Sequence, residues 1–192
     1  MAIEEPVYKV LAKDQNYEIR QYGPTLVAET YVEANFEDAG NQAFRILAAY
    51  IFGENLSKTK IAMTAPVNQV AGSSEKIEMT APVTQSKRAT GALVQFTMPA
   101  QYTLETLPVP KDRRVSIRQI PPRTVAVFSY SGSWSESRYQ SKLKEFRQDL
   151  LKNDLRTIGE PVFARFNSPF QVWFLRRNEI WLELVEGQRF AR

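Results

Sequence analysis

The chain has 192 residues, 43% of them apolar and 24% charged, with a formal net charge of +4, a composition ordinary for a globular protein with a sizeable core. It contains no Cys and no His, which removes disulfides, thiolate or imidazole metal sites and every Ser-His or Cys-His nucleophilic arrangement. No stretch approaches the roughly 18 uninterrupted apolar residues of a membrane span, and Glu4, Glu5 and Pro6 stand where a signal peptide would be apolar, so a soluble mature protein is expected.

The first half opens with a strand, a Pro-marked turn and a second strand around Ile19 to Ala28. Apolar positions at three- and four-residue steps then predict a helix over about 37–52, followed by strands around 59–67, 76–84 and 92–98. Two short connectors follow from composition, 70–75 and 99–114. The second half repeats the pattern, with a helix over about 135–152 that Ser133 or Ser135 can cap, and strands around 161–166, 170–176 and 179–185.

The halves match in sequence as well as in order. The segment Ile19-Arg20-Gln21-Tyr22-Gly23-Pro24-Thr25-Leu26-Val27-Ala28 returns 98 residues later as Ile117-Arg118-Gln119-Ile120-Pro121-Pro122-Arg123-Thr124-Val125-Ala126, with six of ten positions identical. Phe36 falls opposite Trp134 at the same offset. Such a duplication predicts one domain over 1–192, with repeats of about 7–98 and 111–185 paired about a pseudo-twofold axis and a tail at 186–192. Charge divides unevenly: residues 1–57 hold 4 Lys/Arg against 9 Asp/Glu, and residues 111–192 hold 16 against 9. Because the basic residues stand singly among apolar ones, without a recognition-helix or zinc motif, a solvated face is expected and nucleic-acid binding is not.

A tandem octapeptide is the most specific local feature. Lys60-Ile61-Ala62-Met63-Thr64-Ala65-Pro66-Val67 recurs as Lys76-Ile77-Glu78-Met79-Thr80-Ala81-Pro82-Val83, identical at seven of eight positions. A strand that stops at a proline accounts for the pattern, and the spacing suits a hairpin whose arms end alike. These segments, the helix ending Tyr50-Ile51-Phe52-Gly53-Glu54-Asn55, and the closing Asn167-Ser168-Pro169 with Arg176-Arg177-Asn178-Glu179-Ile180-Trp181 together resemble the SOUL heme-binding family from about Pro6 to Leu184.

The resemblance implies an α+β fold: a distorted antiparallel β-barrel with two long helices, built from two pseudo-twofold related βαββ-like halves and close to bacterial effector-binding domains. It also implies a heme or other porphyrin as non-covalent cofactor, in a carrier or buffering role, held in an apolar cleft beside the first helix. By position the residues for that cleft are Asn41, Phe44, Arg45, Ala48 and Phe52, with Lys58 and Lys60 from the following segment. Axial His ligation is excluded because the chain has no His, leaving Met, Tyr or Lys as iron ligands or no protein ligand. Read without the resemblance, Phe44, Leu47, Ala48, Ile51 and Phe52 are core at helical spacing.

A competing reading is a promiscuous effector-binding module with a carboxylate in an aromatic pocket, for which Glu183 near Trp181 and Glu18 near Tyr17 and Tyr22 are the candidates. Another is a protein-interaction module that uses a groove beside helix 37–52. No carboxylate or tyrosine spacing signals catalysis, so no enzyme is expected. A cytoplasmic location is the default expectation, compatible also with a plastid, and protein partners are unspecified.

Overall fold

The computed structural model describes residues 4–57, 74–167 and 172–190. In chain order the elements are β1 (Tyr8–Lys13), β2 (Tyr17–Tyr22), β3 (Thr25–Val32), α1 (Phe36–Ile51), β4 (Asn55–Leu56), β5 (Val83–Arg88) and β6 (Gly91–Thr97). They continue as β7 (Val109–Pro110), β8 (Ser116–Ile120), β9 (Arg123–Ser131), α2 (Glu136–Lys152), β10 (Thr157–Arg165) and β11 (Arg177–Leu184). Nine strands form one curled antiparallel sheet in the order β1-β2-β9-β11-β10-β5-β6-β3-β8, an open half-barrel, while β4 and β7 pair separately.

The strand order carries the duplication. Exchanging β2, β3, β5 and β6 with β8, β9, β10 and β11 maps the order from β2 to β8 onto itself, with the β5–β10 pair at the centre. Each repeat gives its first strand to the other: β2 lies beside β9, and β8 beside β3. The register is preserved, since Ile19 opposes Ala126 and Ile117 opposes Ala28. The halves are therefore ββαββ units with swapped leading strands, in keeping with the strand, turn, strand and helix order that the sequence predicts for each.

Alternation decides what faces each helix. On β6, Ala92, Val94 and Phe96 are buried against α1, whose Ala39, Ala43, Leu47 and Ile51 repeat at four-residue steps in the same cluster. On β11, Ile180, Leu182 and Leu184 pack with Tyr139, Leu143, Phe146 and Leu150 of α2. The intervening residue Trp181 points to the opposite face, where it joins Tyr22, Val125, Val127 and Phe166 in a third cluster. Gly91 permits the close approach of β6 to β3, because a Cβ there would lie 2.1 Å from the Val32 carbonyl oxygen.

The helix starts follow local chemistry. Asn35 caps α1, its side-chain oxygen accepting from the Asp38 N–H at 2.8 Å, and Glu37 and Asp38 complement the positive end of the helix. Ser135 occupies the cap position of α2 but its hydroxyl bonds Ser133 and Ser137 instead of the backbone.

Three sequence-based expectations change. Residues 76–82 are not a strand; the ladder begins at Val83, and Ile77 N–H bonds back to the Ile51 carbonyl while Ala81 N–H bonds Glu4. The expected strand over 170–176 is replaced, where described, by a single 3₁₀ turn at Trp173–Leu175. The run Arg176-Arg177-Asn178-Glu179 between Phe174 and Trp181 reads in the sequence as a polar hairpin tip, yet Asn178 and Glu179 are 0% and 1% exposed within β11. The expected strand 59–67, with the first octapeptide, lies outside the described residues. No helix of the described residues is long and apolar enough to cross a membrane.

Candidate functional site

Two surfaces carry unusual chemistry, one on each face of the sheet. On the helical face, α1 and the residue that follows it set five of the expected residues along one stripe. Asn41 and Arg45 are exposed, Phe44 is half-buried with its ring 5.4 Å from that of Phe96, and Ala48 is buried. Phe52, at the end of the stripe, is 58% exposed, so the reading of it as core does not hold, whereas Leu47, Ala48 and Ile51 are core. The Lys76 ammonium sits 5.9 Å from the Phe52 ring centroid, a loose cation–π contact. Arg45 makes no ion pair among the described residues. Lys58 and Lys60 lie outside them.

Asn55 ties this region together. Fully buried, it donates to the carbonyls of Tyr50 at 2.8 Å and Glu75 at 2.7 Å and accepts from the Glu75 N–H at 2.9 Å. The Glu75 carboxylate is held in turn by Ser57 and by the Tyr102 hydroxyl. The end of α1 and the segment bearing Lys76 are thereby fixed to one another. The Tyr50 hydroxyl, pushed up by burial, donates to the Pro108 carbonyl.

On the concave face a buried ion pair stands where the aromatic pocket was expected. Glu179 lies 3.1 Å from Arg20, and also accepts from the Trp181 indole N–H at 2.7 Å and from the Ser129 hydroxyl. Burial works against the charge on Arg20, but Glu179, Tyr22 and Glu18 outweigh it and hold the guanidinium above its ordinary value. The two carboxylates singled out from sequence have other roles. Glu18 is paired with Arg20 and Lys13, which together overcome its partial desolvation and lower its pKa. Glu183 is nearer the rim, 3.9 Å from Arg123. Tyr17 turns the other way, its ring 5.9 Å from Phe146 under α2. Glu179 could not be singled out by spacing, since its partner is 159 residues away.

Beside this pair the trough widens into an open cavity of about 300 Å³ that includes Leu93, Arg118, Arg123 and Trp181. The 98-residue offset, visible in the sequence, was the available signal that Arg118 is the counterpart of Arg20.

With this geometry in hand, comparison with known proteins is informative. The SOUL heme-binding protein model matches residues 3–183. The chain belongs to the SOUL heme-binding protein family. Heme-binding protein 2 of Mus musculus is 31% identical over 188 residues, covering 94% of this chain and 86% of that protein. Among solved structures, the EcmrR C-terminal domain superposes with a TM-score of 0.61 at 10% identity, covering 93% of this chain and 98% of that one. A hydrolase from Listeria innocua superposes with a TM-score of 0.54 at 12% identity, covering 91% and 94%. At such identities these two likenesses show a shared SOUL and effector-binding-domain-like fold, in agreement with the swapped, duplicated sheet.

Proposed function

We propose that this SOUL protein binds a tetrapyrrole along the outer face of α1 as a carrier or buffer and is not an enzyme. The observation that carries the reading is the pairing of a 58% exposed Phe52 with an exposed Arg45 free of ion pairs among the described residues, one helical turn either side of Ala48. An aromatic side chain left this open at the end of the stripe is apolar area still to be buried. A tetrapyrrole supplies what this surface lacks, a flat apolar face for the exposed Phe52 and the half-buried Phe44 on either side of Ala48, and carboxylates for cations.

Arg45 is the described cation best placed for a carboxylate, with Asn41 one turn before it and Lys76 near Phe52. Lys58 and Lys60 are assigned the same task from sequence. Burial of the ring stabilises by roughly 25 cal/mol per Å², offset in part by the cost of association. Without a strong axial protein ligand, metal-free and iron-bearing rings should bind with similar affinity.

The test is a titration with hemin and, in parallel, metal-free protoporphyrin, followed by absorbance and Trp quenching in wild type and Arg45→Glu. Saturable one-to-one binding of both, weakened about tenfold or more by the charge reversal, supports the reading; that loss corresponds to about 1.4 kcal/mol. Non-saturable uptake, or binding untouched by the reversal, rejects it.

A further inference from the structure

The pseudo-twofold is broken at several charged positions, and one of the breaks lies beside Arg118. Arg20 on β2 and Arg118 on β8 are counterparts: Arg20 opposes Val125 on β9, and Arg118 opposes Val27 on β3, both residues 98 apart in each pair. Applying the same relation to the next strand in, Glu179 opposes Ser129 on β9, while Leu93 opposes Tyr31 on β3. The carboxylate that neutralises Arg20 thus has a leucine as its counterpart beside Arg118. Arg118 is exposed and makes no ion pair among the described residues.

Arg118 is not isolated. It lines the cavity of about 300 Å³ with Arg88 and Arg123, against which stand Glu160 and Glu183. The residues that line it thus bring three arginines against two glutamates, with a further carboxylate, Glu29, held just outside the lining by Gln95 at 2.7 Å. Arg123 is largely buried, its side chain 18% exposed, lies 5.8 Å from the Trp181 ring centroid, and among the described residues has the 3.9 Å contact to Glu183 as its one ion pair. Burial depresses its charged form, with Glu183 and Tyr22 only partly offsetting that effect. Between the charges the walls are formed by the apolar Leu93, Ile120, Val162 and Trp181 together with the polar Ser86 and Gln95.

We infer that the concave trough between β8 and β11 binds a small aromatic carboxylate, its acid group on Arg118 and Arg123 and its ring system against Trp181 and Leu93. The size sits at the low end for small-molecule sites, suited to one or two rings and not to a tetrapyrrole. Guanidinium-to-carboxylate hydrogen bonds from the exposed Arg118 and the largely buried Arg123 set the orientation, and the missing Glu counterpart at Leu93 sets the sign of the ligand. This site lies on the sheet face opposite α1 and does not depend on porphyrin binding.

The experiment titrates the whole chain with naphthoate and, separately, with naphthylmethyl-trimethylammonium by calorimetry, in wild type, Arg118→Gln, Leu93→Glu and Arg45→Glu. Saturable one-to-one binding of naphthoate and not of the ammonium is expected. Arg118→Gln should weaken it tenfold or more, and Leu93→Glu, which restores the acid at the symmetric position, should weaken it as much. Arg45→Glu should leave it unchanged. Absence of saturable naphthoate binding, equal binding of the ammonium, or an affinity that follows Arg45 and ignores Arg118 overturns the proposal. Circular dichroism of each variant confirms that the fold persists, and Arg118, being exposed, provides a substitution that the core does not feel.

Discussion

Arg20 on β2 and Glu179 on β11 meet at 3.1 Å across the intervening strand β9, both buried, at 6% and 1% exposed. The two come together only because the repeats exchange their leading strands, which sets β2 next to β9 and so within reach of β11. Removing one member leaves a buried charge uncompensated, whereas removing both does not. Glu179→Leu should therefore cost about 3 kcal/mol, at the low end for such pairs because Glu18 still accepts from Arg20. The double variant Arg20→Met with Glu179→Leu should recover more than half of that loss in urea unfolding. Additive single losses would show that the pair is not coupled.

Gly40 faces the Arg165 guanidinium so closely that a Cβ would lie 2.6 Å from Nη1. Arg165 has little freedom to withdraw, since it lies 5.1 Å from the Phe163 ring centroid and 5.2 Å from that of Trp134 and donates to Gln85. Burial pulls this guanidinium down to about 10. In an open helix Gly→Ala gains about 0.8–1 kcal/mol, but overpacking costs about 1–3 kcal/mol. Gly40→Ala should destabilise by about 1 kcal/mol, and in an Arg165→Leu background the same change should become stabilising. A gain in both backgrounds would mean that the guanidinium simply moves aside.

Both helices were legible in sequence because Ala39, Ala43, Leu47 and Ile51, and Tyr139, Leu143, Phe146 and Leu150, hold a helical step. The duplication was legible because turn chemistry and pleat parity preserved Ile19 to Ala28 at Ile117 to Ala126. What escaped was the consequence of strand exchange. It makes Glu179 the buried carboxylate in place of Glu18 or Glu183, and no local pattern encodes a partner 159 residues away. The second octapeptide reads as a strand by composition, yet Ile77 and Ala81 spend their N–H groups on Ile51 and Glu4, so no ladder forms before Val83. Phe52 followed the helical period of its neighbours, but it stands one residue past α1, where the chain turns at Gly53 with a φ of 122°. Period alone cannot tell a buried from an exposed end of a stripe.

Asn55 makes three side-chain hydrogen bonds that join the end of α1 to Glu75, beside Lys76. Asn55→Ala would strand two carbonyls and one N–H, where each unsatisfied buried group costs about 1–3 kcal/mol less whatever water recovers. A loss of about 2–3 kcal/mol in urea unfolding is expected, together with weaker hemin binding, because Phe52 and Lys76 lose their common anchor. A change below about 0.5 kcal/mol would show that the three bonds are replaced by solvent.

Alkaline pH should find the weakest point of this fold in its buried tyrosines. Burial raises Tyr22, whose ring packs between Tyr8 and Trp181, to about 12, and Tyr139, stacked on Phe36, to about 12 as well. Tyr50 and Tyr130 are raised in the same direction by desolvation. A group whose folded pKa exceeds its unfolded value, about 10 for Tyr, contributes fully below the unfolded value and loses that contribution as pH rises towards the folded one. Between about pH 10 and 12 the folded chain holds protons that the unfolded chain has released, so stability must fall with pH. Each such tyrosine steepens the fall by about 1.4 kcal/mol per pH unit. Urea unfolding at a series of alkaline pH values should give this decline, and Tyr139→Phe should remove one tyrosine's share of the slope while leaving a stacked ring on Phe36. If the slope of the variant equals that of wild type, Tyr139 ionises in the folded chain as easily as in the unfolded one, and the desolvation assigned to it is wrong.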